Sequence, residues 1–243
     1  MKSLSISSKK DYNKSELSQF KKIYQSTIEF SKFLHHQFIN SRKVLDVGTG
    51  IGGTLSFYTN KYKDIDFIGS DYRAKYVNQS KYIFNKLKIN QNVTFQKIDI
   101  LKKITNKNLD KIDGIISEKT FCTFKDISKP LNNLIKLKPK WIGINSLFFD
   151  GYMDVIIHQR QLSPTTFNSL NNDNDPDGDF NIHSLKKLKK LVKTYGYKVS
   201  KCKKFYPKKK LKSNRLKFGT YTIKTEMNKN TCFTGPVHLP WYF

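Results

Sequence analysis

Residues 43–55, KVLDVGTGIGGTL, carry two glycine patterns at once. Gly48, Gly50 and Gly53 spell G-x-G-x-x-G, the turn that brings a diphosphate onto a helix N-terminus. Asp46, Gly48, Gly50 and Gly52 spell D-x-G-x-G-x-G, in which an acid precedes the same turn. The first pattern predicts an anionic ligand and the second a cationic one. Under either pattern, an apolar run that ends in a glycine turn and leads into a helical segment is the opening strand of a parallel α/β sheet.

Strand-like runs continue outward from this stretch as IDFIGS, VTFQKI, IDGIIS and WIGINSLFF, separated by segments of helical character at Tyr72–Leu87 and Asp126–Leu137. This alternation predicts a mostly parallel sheet with helices on both faces. Upstream, Phe20, Ile23, Tyr24, Ile28, Leu34 and Phe38 recur at helical spacing within residues 11–40 and predict an amphipathic helix. We therefore expect a helical extension over 1–40 and one α/β domain over 41–243. Downstream of Phe149, MDVIIHQRQL reads as a further strand, and residues 161–181 read as a long polar loop, expected to be an insertion on the substrate side. A basic helix over His183–Tyr195 ends at Gly196, in the position of a C-terminal glycine cap. Two β-like runs, YKVSKCKKFY and GTYTIKTEM, follow, and the aromatic tail CFTGPVHLPWYF either docks on the core or lines a pocket.

The chain has 45 Lys and Arg against 19 Asp and Glu, a formal charge of +26, so it can be expected to meet anionic partners. Only four of those cations are Arg, the residue suited to bidentate phosphate and base contacts, which weakens the case for a dedicated nucleic-acid reader. Abundant Lys, Asn and Ile are also what drift toward A/T-rich codons produces. No apolar run reaches the length of about eighteen residues that a membrane span needs. The N-terminal residues lack the apolar centre of a secretory signal, and Cys122, Cys202 and Cys232 have no metal-ligand spacing, so a cytoplasmic location is expected.

Ligands of an open parallel sheet sit outside the carboxyl ends of its strands. In a chain poor in acid, Asp46, Asp71, Asp99 and Glu118 stand at or near that end of the first four predicted strands. A crevice so lined repels a diphosphate and attracts a ligand bearing a sulfonium and an ammonium. From about Arg42 onward the chain resembles the class I S-adenosylmethionine-dependent methyltransferase family. That resemblance implies a Rossmann-like, mostly parallel seven-stranded sheet and S-adenosyl-L-methionine as cofactor. It implies further that Asp46 with Gly48, Thr49, Gly50 and Gly52 holds the methionine part. Asp71 would take the ribose hydroxyls, Asp99 the adenine amino group with Ile100 beside the ring, and Tyr72 would pack on its face. Taken alone, Asp71 also reads as a helix N-cap and Asp99 as a surface turn residue.

Glu118, in SEKTF after the fourth strand, is the candidate to orient or deprotonate an acceptor or to touch the cofactor. His158 is the second catalytic candidate, with His183 and His238 alternatives by residue type alone. Neither an Asn-Pro-Pro-Tyr-type motif nor a Pro-Cys pair is present, which sets aside the nucleic-acid amino and cytosine-C5 subclasses. Asp173, Asp175, Asp177 and Gly178 imitate the start of a calcium loop, but Ser184 stands where its bidentate Glu belongs, so no metal is expected. The leading expectation is methyl transfer to O or N of a small or medium-sized metabolite. The alternatives are an RNA methyltransferase, suggested by KKKLKSNRLK and the net charge, and a non-catalytic S-adenosylmethionine-binding protein.

Overall fold

The structure is a computed structural model, and it describes residues 17–89, 92–105, 109–159, 178–179, 181–207, 220–224, 230–234 and 241–242. After helices α1 (Gln25–Phe33) and α2 (His35–Ile39), the chain alternates β1 (Lys43–Val47), α3 (Gly53–Lys61), β2 (Asp66–Asp71), α4 (Ala74–Leu87) and β3 (Val93–Lys97). Then come β4 (Gly114–Glu118), a 3-10 turn at Phe121–Thr123, α5 (Ser128–Ile135) and β5 (Trp141–Phe149). The short strands β6 (His158–Gln159), β7 (Gly178–Asp179) and β8 (His183–Ser184) precede α6 (Leu185–Thr194). The remaining strands are β9 (Lys204–Phe205), β10 (Thr220–Lys224), β11 (Asn230–Thr234) and β12 (Trp241–Tyr242).

The main sheet runs β3-β2-β1-β4-β5-β12-β9, with β8 paired alongside the end of β5. Strands β1 to β5 are parallel, and β12 is antiparallel to both of its neighbours. The chain thus starts in the middle of the sheet, moves outward to β3 and then returns across β1 to β4. The central strands are apolar on both sides, as a parallel sheet covered on both faces requires. Val44, Ile116 and Leu147 join Phe30, Phe38, Leu55 and Phe84 of α1 to α4 in one core. Their neighbours Leu45, Ile115 and Phe148 join Leu131, Leu134, Leu185 and Leu188 of α5 and α6 in the other.

Several local expectations change. The single helix expected over 11–40 is two helices within 25–39, and residues 11–16 lie outside the described residues. Of MDVIIHQRQL, only His158–Gln159 is strand, pairing with β7, while Val155 makes one bridge to Ile182. Of YKVSKCKKFY, only Lys204–Phe205 joins the sheet; Tyr197 and Val199 pack against the core without pairing as strand, and residues 200–203 are exposed. GTYTIKTEM contributes β10, which pairs with β11 in a separate hairpin. The place between β5 and β9 goes instead to the C-terminal Trp241–Tyr242. Helix α6 starts two residues later than expected, where Ser184 Oγ accepts from Lys187 N–H at 3.1 Å, and it ends as expected, with Gly196 at φ 77° just beyond it. Among the described residues no helix is long and apolar enough to cross a membrane.

Candidate functional site

The turns that follow β1, β2 and β4, and the segment after β3, open onto one cleft of about 760 Å³, a volume typical of small-ligand sites. All four strand-end acids, Asp46, Asp71, Asp99 and Glu118, line it. Gly48, Thr49, Gly50, Tyr72 and Ile100 line it with them. Gly52 stands back. It is the N-cap of α3 at φ 85°, and a Cβ there would come within 2.6 Å of the Phe84 ring, so it serves the turn and its packing. Gly50, at φ 56°, has nothing within 4 Å of where a Cβ would stand, so the space above its backbone belongs to the cleft.

Asp46 is 3% exposed, and its Oδ2 has no hydrogen-bond partner. Burial pushes its carboxyl up to about 7, with Glu118 and Asp71 adding to the effect. The neighbouring Thr49 hydroxyl opposes the shift without reaching hydrogen-bond geometry. A buried carboxylate without a donor is costly unless a cation meets it.

Asp71 is also buried but is held by backbone. Its Oδ2 accepts from Gly50 N–H at 3.2 Å and its Oδ1 from Arg73 N–H at 2.9 Å. Arg73, not Asp71, is the N-cap residue of α4, so the capping alternative does not hold. Asp99 Oδ1 accepts from Leu101 N–H at 3.0 Å, which makes the tight turn after β3, and Asp99 still reaches the cleft. Tyr72 is 59% exposed at the rim. The Arg73 guanidinium lies 3.8 Å from the Tyr76 ring centroid and 5.1 Å from that of Tyr72, forming one wall.

Glu118 differs sharply. Its Oε2 accepts from Thr27 Oγ1 at 2.9 Å and Asn145 Nδ2 at 3.1 Å, and its Oε1 from the Tyr58 hydroxyl at 2.5 Å. Burial raises its carboxyl above the usual range, these three donors oppose the shift, and the Tyr58 phenol is raised well above its ordinary value. Sequence reasoning missed Thr27, Tyr58 and Asn145, which come from α1, α3 and β5. It also missed the N-terminal wall. Gln19 and Tyr24 line the cleft, and Lys119 Nζ sits 3.4 Å above the Tyr24 ring.

Of the candidate histidines, only the side chain of His183 lies among the described residues, and it does not line the cleft. His158 is on β6 opposite Asp179, and its side chain lies outside the described residues, as do His238, Asp173, Asp175 and Asp177. His183 is buried, with Nε2 3.0 Å from the Phe121 carbonyl oxygen, and burial holds its pKa below the usual range.

A family model described as a methyltransferase domain matches residues 40–195, which is more than half of the chain. The chain belongs to the class I S-adenosylmethionine-dependent methyltransferases. Among curated proteins, a *Bacillus subtilis* protein described as uncharacterized YpuD is 34% identical over 87 residues, covering 33% of this chain and 75% of that protein. The fold matches an O-methyltransferase from a trans-AT PKS multienzyme of Brevibacillus brevis, solved with S-adenosyl-L-homocysteine, at TM-score 0.55 and 12% identity. That match covers 78% of this chain and 57% of the other, so this methyltransferase spans less than two thirds of that structure. The N-terminal domain of EvdMO1, solved with SAH, matches at TM-score 0.53 and 9% identity over 90% of this chain and 80% of that one.

This methyltransferase's own residues fit its family's donor. The orphaned Asp46 Oδ2 suits a cationic group, and the open space over Gly50 admits a ligand against the main chain. Asp71 and Asp99 add two carboxylates further along the same cleft.

Proposed function

We propose that this methyltransferase transfers a methyl group from S-adenosylmethionine to an oxygen or nitrogen of a small or medium-sized metabolite. The observation that carries the reading is the buried, unpartnered carboxylate of Asp46 in a cleft that Glu118, Thr123 and Phe124 also line. Asp46 and the backbone of Gly48, Thr49 and Gly50 hold the methionine end of the donor. Asp71 accepts from the ribose hydroxyls, where charge-assisted bonds are strong. Asp99 accepts from the adenine amino group, with Ile100 along the ring edge and Tyr72 over its face.

When bound, S-adenosylmethionine would supply an electrophilic methyl group for in-line attack by a lone pair on the acceptor's oxygen or nitrogen, the pair of the broken S–CH3 bond staying on sulfur. The protein's contribution is alignment and exclusion of water. Glu118 is kept in one orientation by Thr27, Tyr58 and Asn145, so it serves as a fixed acceptor for an O–H or N–H of the incoming substrate. Its raised pKa helps it to take the proton released on transfer. His158 is a second candidate base, on the hairpin that follows β5. Thr123 and Phe124 line the same cleft as Glu118, and the acceptor would sit against these residues.

The test is incubation of the full chain with methyl-labelled S-adenosylmethionine and a fractionated cell extract. Label in the small-molecule fraction supports the reading, with Glu118→Gln slowing turnover more than it weakens donor binding. Label confined to RNA, or stoichiometric donor binding without transfer to any fraction, would overturn it.

A further inference from the structure

Away from the cleft, the loop after β5 exposes three large apolar side chains close together in sequence: Tyr152 at 85%, Met153 at 54% and Ile156 at 49%. Helix α6 runs beside this loop. Its Leu185, Leu188 and Val192 are buried in the core, so the face it leaves to solvent is made of lysines. Lys186 Nζ lies 4.2 Å from the Tyr152 ring centroid, which joins the apolar and basic parts into one patch. Lys189, Lys190 and Lys193 are exposed further along the helix.

Among the described residues, the acids nearest the patch are already matched. Lys187 Nζ is 2.7 Å from Asp154 and 3.6 Å from Asp126, and Lys204 Nζ is 2.6 Å from Asp150. The patch therefore presents positive charge around exposed apolar side chains, with its own carboxylates engaged.

We propose that this patch docks the protein on the surface of an anionic lipid bilayer. Lysines gather at the headgroups of an anionic leaflet, and a tyrosine with aliphatic neighbours suits the interfacial layer beneath them. Nucleic acid fits less well, because Met153 and Ile156 offer little to a base or a phosphate and the basic residues here are Lys, not Arg. The same ion pairs connect the patch to a wall of the cleft: Asp126, bound by Lys187, follows two residues after Phe124, which lines it. The inference rests on the surface alone and needs no bound donor.

The test is co-sedimentation of the full chain, without cofactor, with phosphatidylcholine vesicles containing or lacking phosphatidylserine. Net charge alone would attract a protein of +26, so the control is essential. Lys63, Lys81, Lys86 and Lys97, changed together to Gln, remove the same charge near β2, β3 and α4, toward the sheet edge opposite β9. Lys186→Gln with Lys189→Gln, Lys190→Gln and Lys193→Gln should weaken binding to the anionic vesicles by about tenfold or more. The control quadruple should change it by less than about threefold. Tyr152→Ser with Met153→Ser and Ile156→Ser, all at exposed positions, should cost roughly tenfold and leave the melting temperature unchanged. Equal losses in the control and the patch quadruple would overturn the proposal. So would an apolar triple that binds as the wild type does, or patch variants that lose affinity for single-stranded RNA but not for vesicles.

Discussion

Two carboxylates at neighbouring strand ends, Asp46 buried and Glu118 half-buried, have opposite surroundings. Asp46 on β1 pairs in register with Ile116, two residues before Glu118 on β4, so the two acids are close neighbours on adjacent parallel strands. Asp46 has an oxygen that meets no donor, whereas both oxygens of Glu118 are engaged by side chains from three elements. The difference separates a group left without a partner, ready for a cation, from one that the fold itself holds in a fixed orientation. A buried charge with no internal partner destabilises the empty protein and is tolerated where a ligand restores the balance. A half-buried charge with three donors joins the elements that supply them. Glu118 ties the N-terminal helix α1 to the sheet.

This contrast can be broken first at Asp46. Asp46→Ala should weaken S-adenosylmethionine binding by about a hundredfold or more in calorimetric titration, because it removes the charged partner of a buried cation. The variant's melting temperature should hold or rise, since the unpartnered charge is gone. Retained donor binding would refute the assignment. The opposite pattern is expected at Glu118. Glu118→Ala leaves three donors without their acceptor and should lower unfolding stability by roughly 2–4 kcal/mol in urea titration. A variant as stable as wild type would mean that the network is not structural.

The stability of the empty protein as a function of pH sharpens the comparison further. The Asp46 carboxyl is raised in the folded state to about 7, above its value in the unfolded chain. The native state therefore holds a proton that the unfolded state has released at intermediate pH. This group's contribution is fully favourable below about pH 4 and is lost as pH rises through about 7. Relative to Asp46→Asn, wild-type stability should decline between those limits, and a flat difference would contradict it. The smallest effect belongs to the network's outer members. Tyr58→Phe should cost about 1 kcal/mol with little change in donor affinity, and Thr27→Val a similar amount. A Tyr58→Phe variant that instead lost donor binding would put Tyr58 in the cleft's chemistry.

Much of the cleft was legible in the amino-acid order because its residues follow strand ends in sequence. Asp46, Asp71, Asp99 and Glu118 each lie at or just beyond a run of apolar residues, and a parallel sheet brings such ends to one edge. The partners of Glu118 were hidden because Thr27 lies 91 residues away and Tyr58 60 residues away. An ordinary Thr or Tyr on a helix carries no local mark of such a contact. Gln19, Tyr24 and Arg73 were missed for the same reason: they reach the cleft by tertiary packing. The central strands were readable because both of their faces are buried. GTYTIKTEM was readable as the strand β10, but the extent of β9 and the place of β12 were not, since Lys204–Phe205 and Trp241–Tyr242 contribute only two residues each and are set by long-range pairing.

The central claim, that Asp46 is the carboxylate awaiting the donor's cationic end, is tested most directly by donor affinity against pH. S-adenosylmethionine binding to wild type and to Asp46→Asn would be measured from pH 5 to pH 8. Wild-type affinity should fall below about pH 7, approaching tenfold per pH unit as Asp46 takes up its proton, while Asp46→Asn binds weakly with little dependence on pH. Wild-type affinity independent of pH, or Asp46→Asn binding as tightly as wild type, would contradict it.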